Sequence, residues 1–503
     1  MKMKKRTIAI FTLLAAVWCA GCGSVFNDAI DDITLRQTSW FTFLGGTEND
    51  GAHSVKQTSD GGYIVAGRAQ ADISPLQGKT PLNPHDPGIN EDMLVVKLDA
   101  GGNVAWYTFL GGGQHDRANS VQQASDGGYI VAGYAKADIP TLQGKTPLNP
   151  FITNGTNGNM LVVKLDAGGF VAWYTFLGGM GDDIINSFQQ TSDGGYIVAG
   201  HASQTIATGN MQNAPCRNTY SAGYDMLVVK LDSGGNVAWY TFLGGAGSDY
   251  TQSVQQTSEG GYIVAGQASS AIDPLQGKSP LNPHDPGSNE DMLVVKLDSG
   301  GNVAWYTFLG GTGEDSAQSV QQTSDGGYIV AGYADVTIDP DRMQNAPCLN
   351  AHHSSGVGYD MLVVKLDSGG NVAWYIFLGG TDNDAAFSVQ QTAEGGYIVA
   401  GYGTDIASNQ MQNAPCLNNF TTGISGDMLV VKLDSSGNVS WYTFLGGTND
   451  DQAKSVQQTS DGGYIVAGQS ASDLSLFQGK DPLNPHSVSY DMLVIKLKNN
   501  GRL

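Results

Sequence analysis

An all-β fold, a seven-bladed β-propeller with four-stranded blades, is what this 503-residue sequence predicts, and three observations carry it. The string GGYIVAG occurs seven times, starting at Gly61, Gly127, Gly194, Gly260, Gly326, Gly395 and Gly462, a period of 66 to 69 residues. Each period holds four short β-type runs, SVQQT, GYIVAG, DMLVVKL and VAWYTFL, broken by Gly-rich turns, and repetition at this length means stacked supersecondary units. The last period stops at DMLVIKLKNNGRL without its fourth run, whereas an unattached fourth run, TSWFTFLGG, stands at Thr38 to Gly46. The N-terminal run is therefore expected to complete the seventh blade and close the ring, which removes open strand edges.

Ahead of the repeats, residues 1–22 read as an export signal. Met1 to Arg6 carries four positive charges, Ile8 to Trp18 is apolar, and the segment ends Cys19-Ala20-Gly21-Cys22. Eleven apolar residues are too few for a permanent membrane span. Residues 23–37 read as a tether and residues 38–503 as the propeller. Without the four basic residues of the signal, 21 basic residues face 47 acidic ones. So acidic a surface repels nucleic acid and anionic headgroups.

Within a period, the strands are named a (SVQQT), b (GYIVAG), c (DMLVVKL) and d (VAWYTFL). The a-to-b and c-to-d turns are Gly-rich hairpins and share one face of the disc. The d-to-a loops and b-to-c inserts share the other. The inserts, 22 to 27 residues each, make up about a third of the chain, and function on repeat folds sits in such insertions. Four inserts carry a form of LQGKTPLNP and three carry MQNAPC, ending at Cys216, Cys348 and Cys416. Their Pro, Asn and Gly content implies irregular loops without helix. Equivalent loops on adjacent blades usually sit farther apart than a disulfide spans, so three free thiols are expected; a bridge between Cys348 and Cys416, whose blades are neighbours, is the alternative.

The DGGYIVAG and WYTFLGG strings resemble the repeats of bacterial seven-bladed propeller lipoproteins, grouped with kelch-like or SBBP repeats, over essentially the whole chain after Gln37. Ala20-Gly21-Cys22 likewise resembles a lipoprotein signal, although Cys19 stands where an aliphatic residue is usual. The resemblance implies lipid attachment at Cys22. Gly23 and Ser24 carry no retention charge, so it also implies an outer-membrane or cell-surface location; plain cleavage without lipid is the alternative.

Candidate chemistry is sparse. One Asp recurs in each d-to-a loop: Asp50, Asp116, Asp183, Asp249, Asp315, Asp384 and Asp451. Clustered carboxylates suit Ca²⁺, but no loop has DxDxDG spacing, and a repeated Asp more economically caps backbone N–H groups. Sevenfold equivalence is the reverse of what paired acid–base catalysis needs, since its two carboxyls require different environments. Polar residues unique to one blade are Arg68, His115, Arg117, His201, Arg217, Arg342, His352 and His353. Of these, His352-His353 comes nearest to a metal pair. The seven repeat tryptophans read as core. Phe151, Tyr220, Phe420 and Tyr490, read as exposed insert aromatics, are the sugar-stacking candidates. The repeated Lys of VVKL, Lys97 and its equivalents, reads as an exposed pair with the Asp two residues on.

The expectation is a monomeric, lipid-anchored envelope protein acting as a binding or scaffold module, with an unknown envelope protein or glycan as partner and no cofactor beyond possible Ca²⁺. A glycan-active propeller and a purely structural envelope protein are the alternatives.

Overall fold

The structure, a computed structural model, describes residues 38–503 except 74, 87–89, 153–156, 273, 286–288, 336–337, 354–357, 422–425, 475–476 and 488. The signal segment, Cys22 and the tether lie outside the described residues.

Seven four-stranded antiparallel sheets follow the repeat, each ordered a-b-c-d. Blade 1 comprises β2 (Asp50–Gln57), β3 (Tyr63–Ala69), β4 (Asp92–Leu98) and β5 (Val104–Leu110). Blade 7 comprises β26 (Asp451–Gln458), β27 (Tyr464–Ser470), β28 (Asp491–Leu497) and, as its d strand, β1 (Trp40–Leu44). The expected closure is present, and in register. Trp40 pairs with Lys496 as Trp106 pairs with Lys97. The N–H of Leu503 donates to Gln478 Oε1 at 3.0 Å, as that of Val104 does to Gln77 Oε1 at 2.9 Å. Leu503 thus holds the place of Val104, and the chain resumes at Ser39 in the place of Ala105.

Strands b and c are almost wholly buried because each is covered on both faces by neighbouring blades. The tryptophan of one blade packs edge-on against the GYIVAG tyrosine of the next, from Trp40–Tyr63 at 5.5 Å around to Trp441–Tyr464 at 5.8 Å. Polar clasps run beside these rings. The a-to-b turn of each blade donates a backbone N–H to a glutamine of the next blade, Ser59 to Gln123 at 2.7 Å and, across the closure, Ser460 to Gln57 at 2.8 Å.

Every a strand has a bulge at its fourth residue, in blade 1 between Ala52 and Ser54. The last glycine of YIVAG faces it. A Cβ on Gly67 would lie 1.9 Å from the carbonyl oxygen of Gly51, so the repeat's glycine is required by close backbone approach.

The repeated lysine differs from expectation. Lys97 is buried, and its ammonium reaches across the blade to Asp60 of the a-to-b turn at 2.9 Å while donating to the carbonyl of Leu98 at 2.8 Å. Asp60 or its equivalent, an Asp or Glu, receives this lysine in all seven blades. Asp99, the expected partner, instead accepts the N–H groups of Gly101 and Asn103 and shapes the c-to-d turn.

The two insert types converge on one device. LQGK inserts place Gln77, Gln143, Gln276 and Gln478 in the left-handed region, and MQNAPC inserts do so with Gln212, Gln344 and Gln412. Each carboxamide oxygen caps a backbone N–H at the start of strand d or, in blade 7, that of Leu503. The MQNAPC inserts also contain a single 3₁₀ turn, at Thr208–Met211, Pro340–Met343 and Ser408–Met411. One turn is too short to leave helical periodicity in a sequence. Cys216, Cys348 and Cys416 are free thiols, each donating to the backbone carbonyl two residues on.

Candidate functional site

In a chain whose seven copies share YIVAG without change, the columns that differ stand out. Four of them converge on the insert-face mouth of the axial channel: the second and fourth residues of strand a, the sixth of strand b, and the residue before strand c. Strand a begins on that face, b ends there and c begins there. The columns include Arg68, Tyr134, His201, Gln267, Tyr333 and Tyr402 on b, and Glu91, Tyr224, Glu290, Tyr359 and Tyr490 before c.

Their side chains form a rim with distinct sectors. Around blades 1 and 2, Glu91 is clamped by Arg68 and by Arg117, whose Nε donates at 2.6 Å, with His115 at 3.9 Å. Burial opposes ionisation of Glu91, but the hydrogen bonds and charge of Arg117 and Arg68 outweigh it and hold the carboxyl below its ordinary range. Aromatics follow. His201 stands edge-on to Tyr250 at 4.9 Å and Tyr224 at 5.5 Å, and burial holds its imidazole at about 4 and hence neutral. Between blades 4 and 5, Gln267 bridges Ser316 and Glu290. Tyr333 packs on Tyr359 at 4.7 Å, and the Tyr359 and Tyr402 hydroxyls share a 2.6 Å hydrogen bond. Tyr402 stacks with Phe387, over which Lys454 sits at 3.5 Å; burial lowers that ammonium to about 8, partly countered by Asp450.

This arrangement offers ring faces, phenol hydroxyls and fixed charges of both signs. Among the described residues of the rim, no serine, threonine or cysteine is hydrogen-bonded to a histidine or carboxylate base. Arg68, His115, Arg117, His201 and Tyr490 were legible as candidates from sequence. Tyr134, Tyr250, Tyr333, Tyr402 and Phe387 were not, since aromatics within strands read as core, and neither were Lys454 or, just before strand c, Tyr224 and Tyr359; comparing the seven copies column by column would have found them.

The insert candidates lie elsewhere. Phe151, Tyr220, His352 and Phe420 are half-buried rather than exposed, and each stands edge-on to the strand-d phenylalanine of its own blade at 5.1 to 5.6 Å. His85, His284 and His486 fill the same place in the other blades. One ring per insert thus pins it to the blade, which explains why Phe can replace His there. Tyr220 also donates its hydroxyl to the carbonyls of Ser203 and Gly223. Tyr490 is half-buried and hydrogen-bonds Asp450 at 3.2 Å. The backbone N–H of His353 donates to Asp360 at 2.7 Å, and burial lowers the pKa of both His352 and His353. Arg217 donates to the carbonyl of Gly300, and Arg342 pairs with Asp285 at 3.3 Å.

The seven loop aspartates are buried, and Oδ2 of every one accepts the N–H of the second glycine after strand d, as in Gly46 to Asp50 at 2.6 Å. Each faces the first residue of the preceding strand c, an Asp in six blades and Asn159 in blade 2, across a glycine such as Gly45 that leaves no room for a Cβ. No group of three or more His, Cys, Asp or Glu side chains among the described residues is arranged to hold a metal ion.

Burial raises these carboxyls, with Asp50, Asp183, Asp249 and Asp384 pushed up to about 7 and Asp116 to about 8. An unfolded Asp titrates near 3.9, so between about pH 4 and 7 the folded chain holds protons that the unfolded chain releases, and stability falls as pH rises. At the acid end, Asp60 is held at about 2 despite burial, chiefly by Thr58 and Lys97, which contributes stability above about pH 4 and loses it as pH falls towards 2. His53 and His201, at about 4, oppose the trend between pH 4 and 6.5 but are outnumbered. The melting temperature should therefore rise as the pH is lowered from 8 to 5. Thermal unfolding across that range checks it, and a rise towards pH 8 would mean these carboxyls are ionised in the fold.

No protein-family model matches the chain. Over 123 residues it is 29% identical to the regulatory protein FlaEY of Caulobacter vibrioides, covering 24% of this chain and 13% of that protein. It is 20% identical to an uncharacterized WD repeat-containing protein of Acanthamoeba polyphaga mimivirus, covering 92% of this chain and 34% of the relative. The chain thus spans well under half the length of either relative. Among solved structures it is similar to a protein of unknown function from Dyadobacter fermentans (13% identity, TM-score 0.39, 92% and 99% of the two chains covered). It is also similar to Sqt1 from Chaetomium thermophilum (11% identity, TM-score 0.40, 86% and 83% covered). Its own seven antiparallel four-stranded blades, closed by β1, make the chain a seven-bladed β-propeller.

Proposed function

We propose that this is an exported binding protein, lipid-anchored at Cys22 in the cell envelope, whose ligand, a glycan or protein of the envelope or exterior, docks on the insert face at the mouth of the channel. The observation that carries the reading is that four of the columns that differ between otherwise repeated blades come together at the rim. Paired, partly exposed tyrosines beside a cationic sector suit sugar rings and peptide side chains alike. Their hydroxyls supply the polar contacts that orient a ligand.

The test is capture from envelope extract and a glycan array, with the parent chain compared to Tyr224→Ala and Tyr359→Ala. Loss of a single stacking ring should weaken capture roughly tenfold. Equal capture by both variants would move the site off the rim. For the anchor, Cys22→Ala should shift the protein from membranes to the soluble fraction, since acyl chains supply the attachment free energy. Retention would point to a protein partner.

A further inference from the structure

The opposite end of the axial channel carries a second feature. Its cavity, about 310 Å³, is lined by the Ser, Val and Gln columns of the a strands, and the only charged side chain on that lining is Lys56. Lys56 takes the place that glutamine holds in the six other blades: Gln122, Gln189, Gln255, Gln321, Gln390 and Gln457. It follows the bulge towards the tight-turn face, away from the rim described above.

These six glutamines are oriented by the backbone. Each carboxamide oxygen accepts the N–H of a glutamine in the next blade, at 2.5 to 3.1 Å: Gln122 from Gln190, Gln189 from Gln256, Gln255 from Gln322, Gln321 from Gln391, Gln390 from Gln458 and Gln457 from Gln57. A backbone N–H can bond only the oxygen of a carboxamide, so the assignment of oxygen and nitrogen is settled by the network. The amino groups are what remain for the channel. At the seventh position the lysine ammonium has three donors and no acceptor. The polar side-chain ends of this ring are therefore donors, and its net charge is positive in a protein whose formal charge is −22.

We infer that this end of the channel is a binding site for a small oxyanion, of the carboxylate or phosphate type, held by the Lys56 ammonium with the amino groups of its ring neighbours Gln122 and Gln457. Acceptor-only groups with several oxygens match a ring of donors, and an ammonium with no carboxylate on the same lining has its charge unanswered from within the channel. Burial depresses the Lys56 ammonium, and a bound anion would relieve that penalty. The cavity is at the small end of the range for ligand sites, which favours an anion of a few heavy atoms over a polymer.

Lys56→Gln gives a clean test, because six blades already fold with glutamine there and the new carboxamide can accept the N–H of Gln123. Calorimetric titration of the full chain with phosphate, and separately with malonate, at constant ionic strength reads the site directly. The expected result is saturable binding of at least one of them by the parent, weakened about tenfold or more in Lys56→Gln, in keeping with loss of a charge-assisted hydrogen bond. Which anion binds identifies the source chemistry. Binding of equal strength in Lys56→Gln, or none by the parent, overturns the inference; unchanged melting of the variant without anion shows that loss of binding is not loss of fold.

Discussion

Deleting Thr38 to Gly46 is expected to leave a chain that aggregates or fails to fold. The deletion removes β1 and with it the buried side chains of Trp40, Phe41, Phe43 and Leu44. At about 1.5 to 3 kcal/mol for each large apolar side chain, the lost burial is roughly 6 to 12 kcal/mol as an upper estimate. That is comparable with the whole stability of an ordinary domain, about 5 to 15 kcal/mol. The deletion also bares the edge of β28, a fully buried DMLVIKL strand with no charge between Asp491 and Lys496 to discourage pairing. Size-exclusion chromatography and thermal unfolding check the outcome. A monomeric product that melts with the parent would show that the seam does not hold the ring. Phe41→Ala, expected to cost about 3 to 5 kcal/mol, measures the same seam in a chain that keeps its strand.

The second large effect is expected at Gly200→Ala. The added methyl would sit 1.8 Å from the carbonyl oxygen of Ile184 and 2.9 Å from the Cα of Ile185, all backbone, so strands a and b of blade 3 have to part. Overpacking ordinarily costs about 1 to 3 kcal/mol, and a collision with backbone belongs at or above the top of that range. Gly144→Ala is the control. It has a positive φ of 77° but nothing within 4 Å of its Cβ, so only the roughly 1 to 2 kcal/mol of left-handed strain applies. Chemical denaturation of the two variants should separate them, Gly200→Ala being the more damaged. The reverse order would mean that φ rather than the bulge sets the requirement for glycine.

The legible parts of the fold were the Gly-rich hairpins and short β-type runs that each blade repeats, and the stray TSWFTFLGG. What misled was distance. The carboxylate nearest Lys97 in sequence is Asp99, yet the lysine side chain leaves strand c on the side where the a-to-b hairpin turns, and Asp60 is the neighbour it meets. Sequence spacing carries no information on contacts between hairpins. The insert rings misled in another way. Pro-rich loops suggest exposure, but each ring has the strand-d phenylalanine of its own blade beneath it, a contact set by how the loop folds back. The rim was hidden because its residues belong to, or directly precede, strands whose other positions are core. Its only signature is failure to repeat.

The seam also sets the order of events in folding. Strands c and d of blade 1 pair residues only nine apart, Lys97 with Trp106, whereas Lys496 and Trp40 pair across 456. Each doubling of loop length costs about 0.6 kcal/mol, so joining the ends of an unfolded chain costs about 3 kcal/mol more than forming an internal hairpin. Stacking six blades first brings the two ends together without that penalty. The β1–β28 ladder should then be the last pairing to form and the first to open, and its amide protons the first among the strands to exchange with solvent.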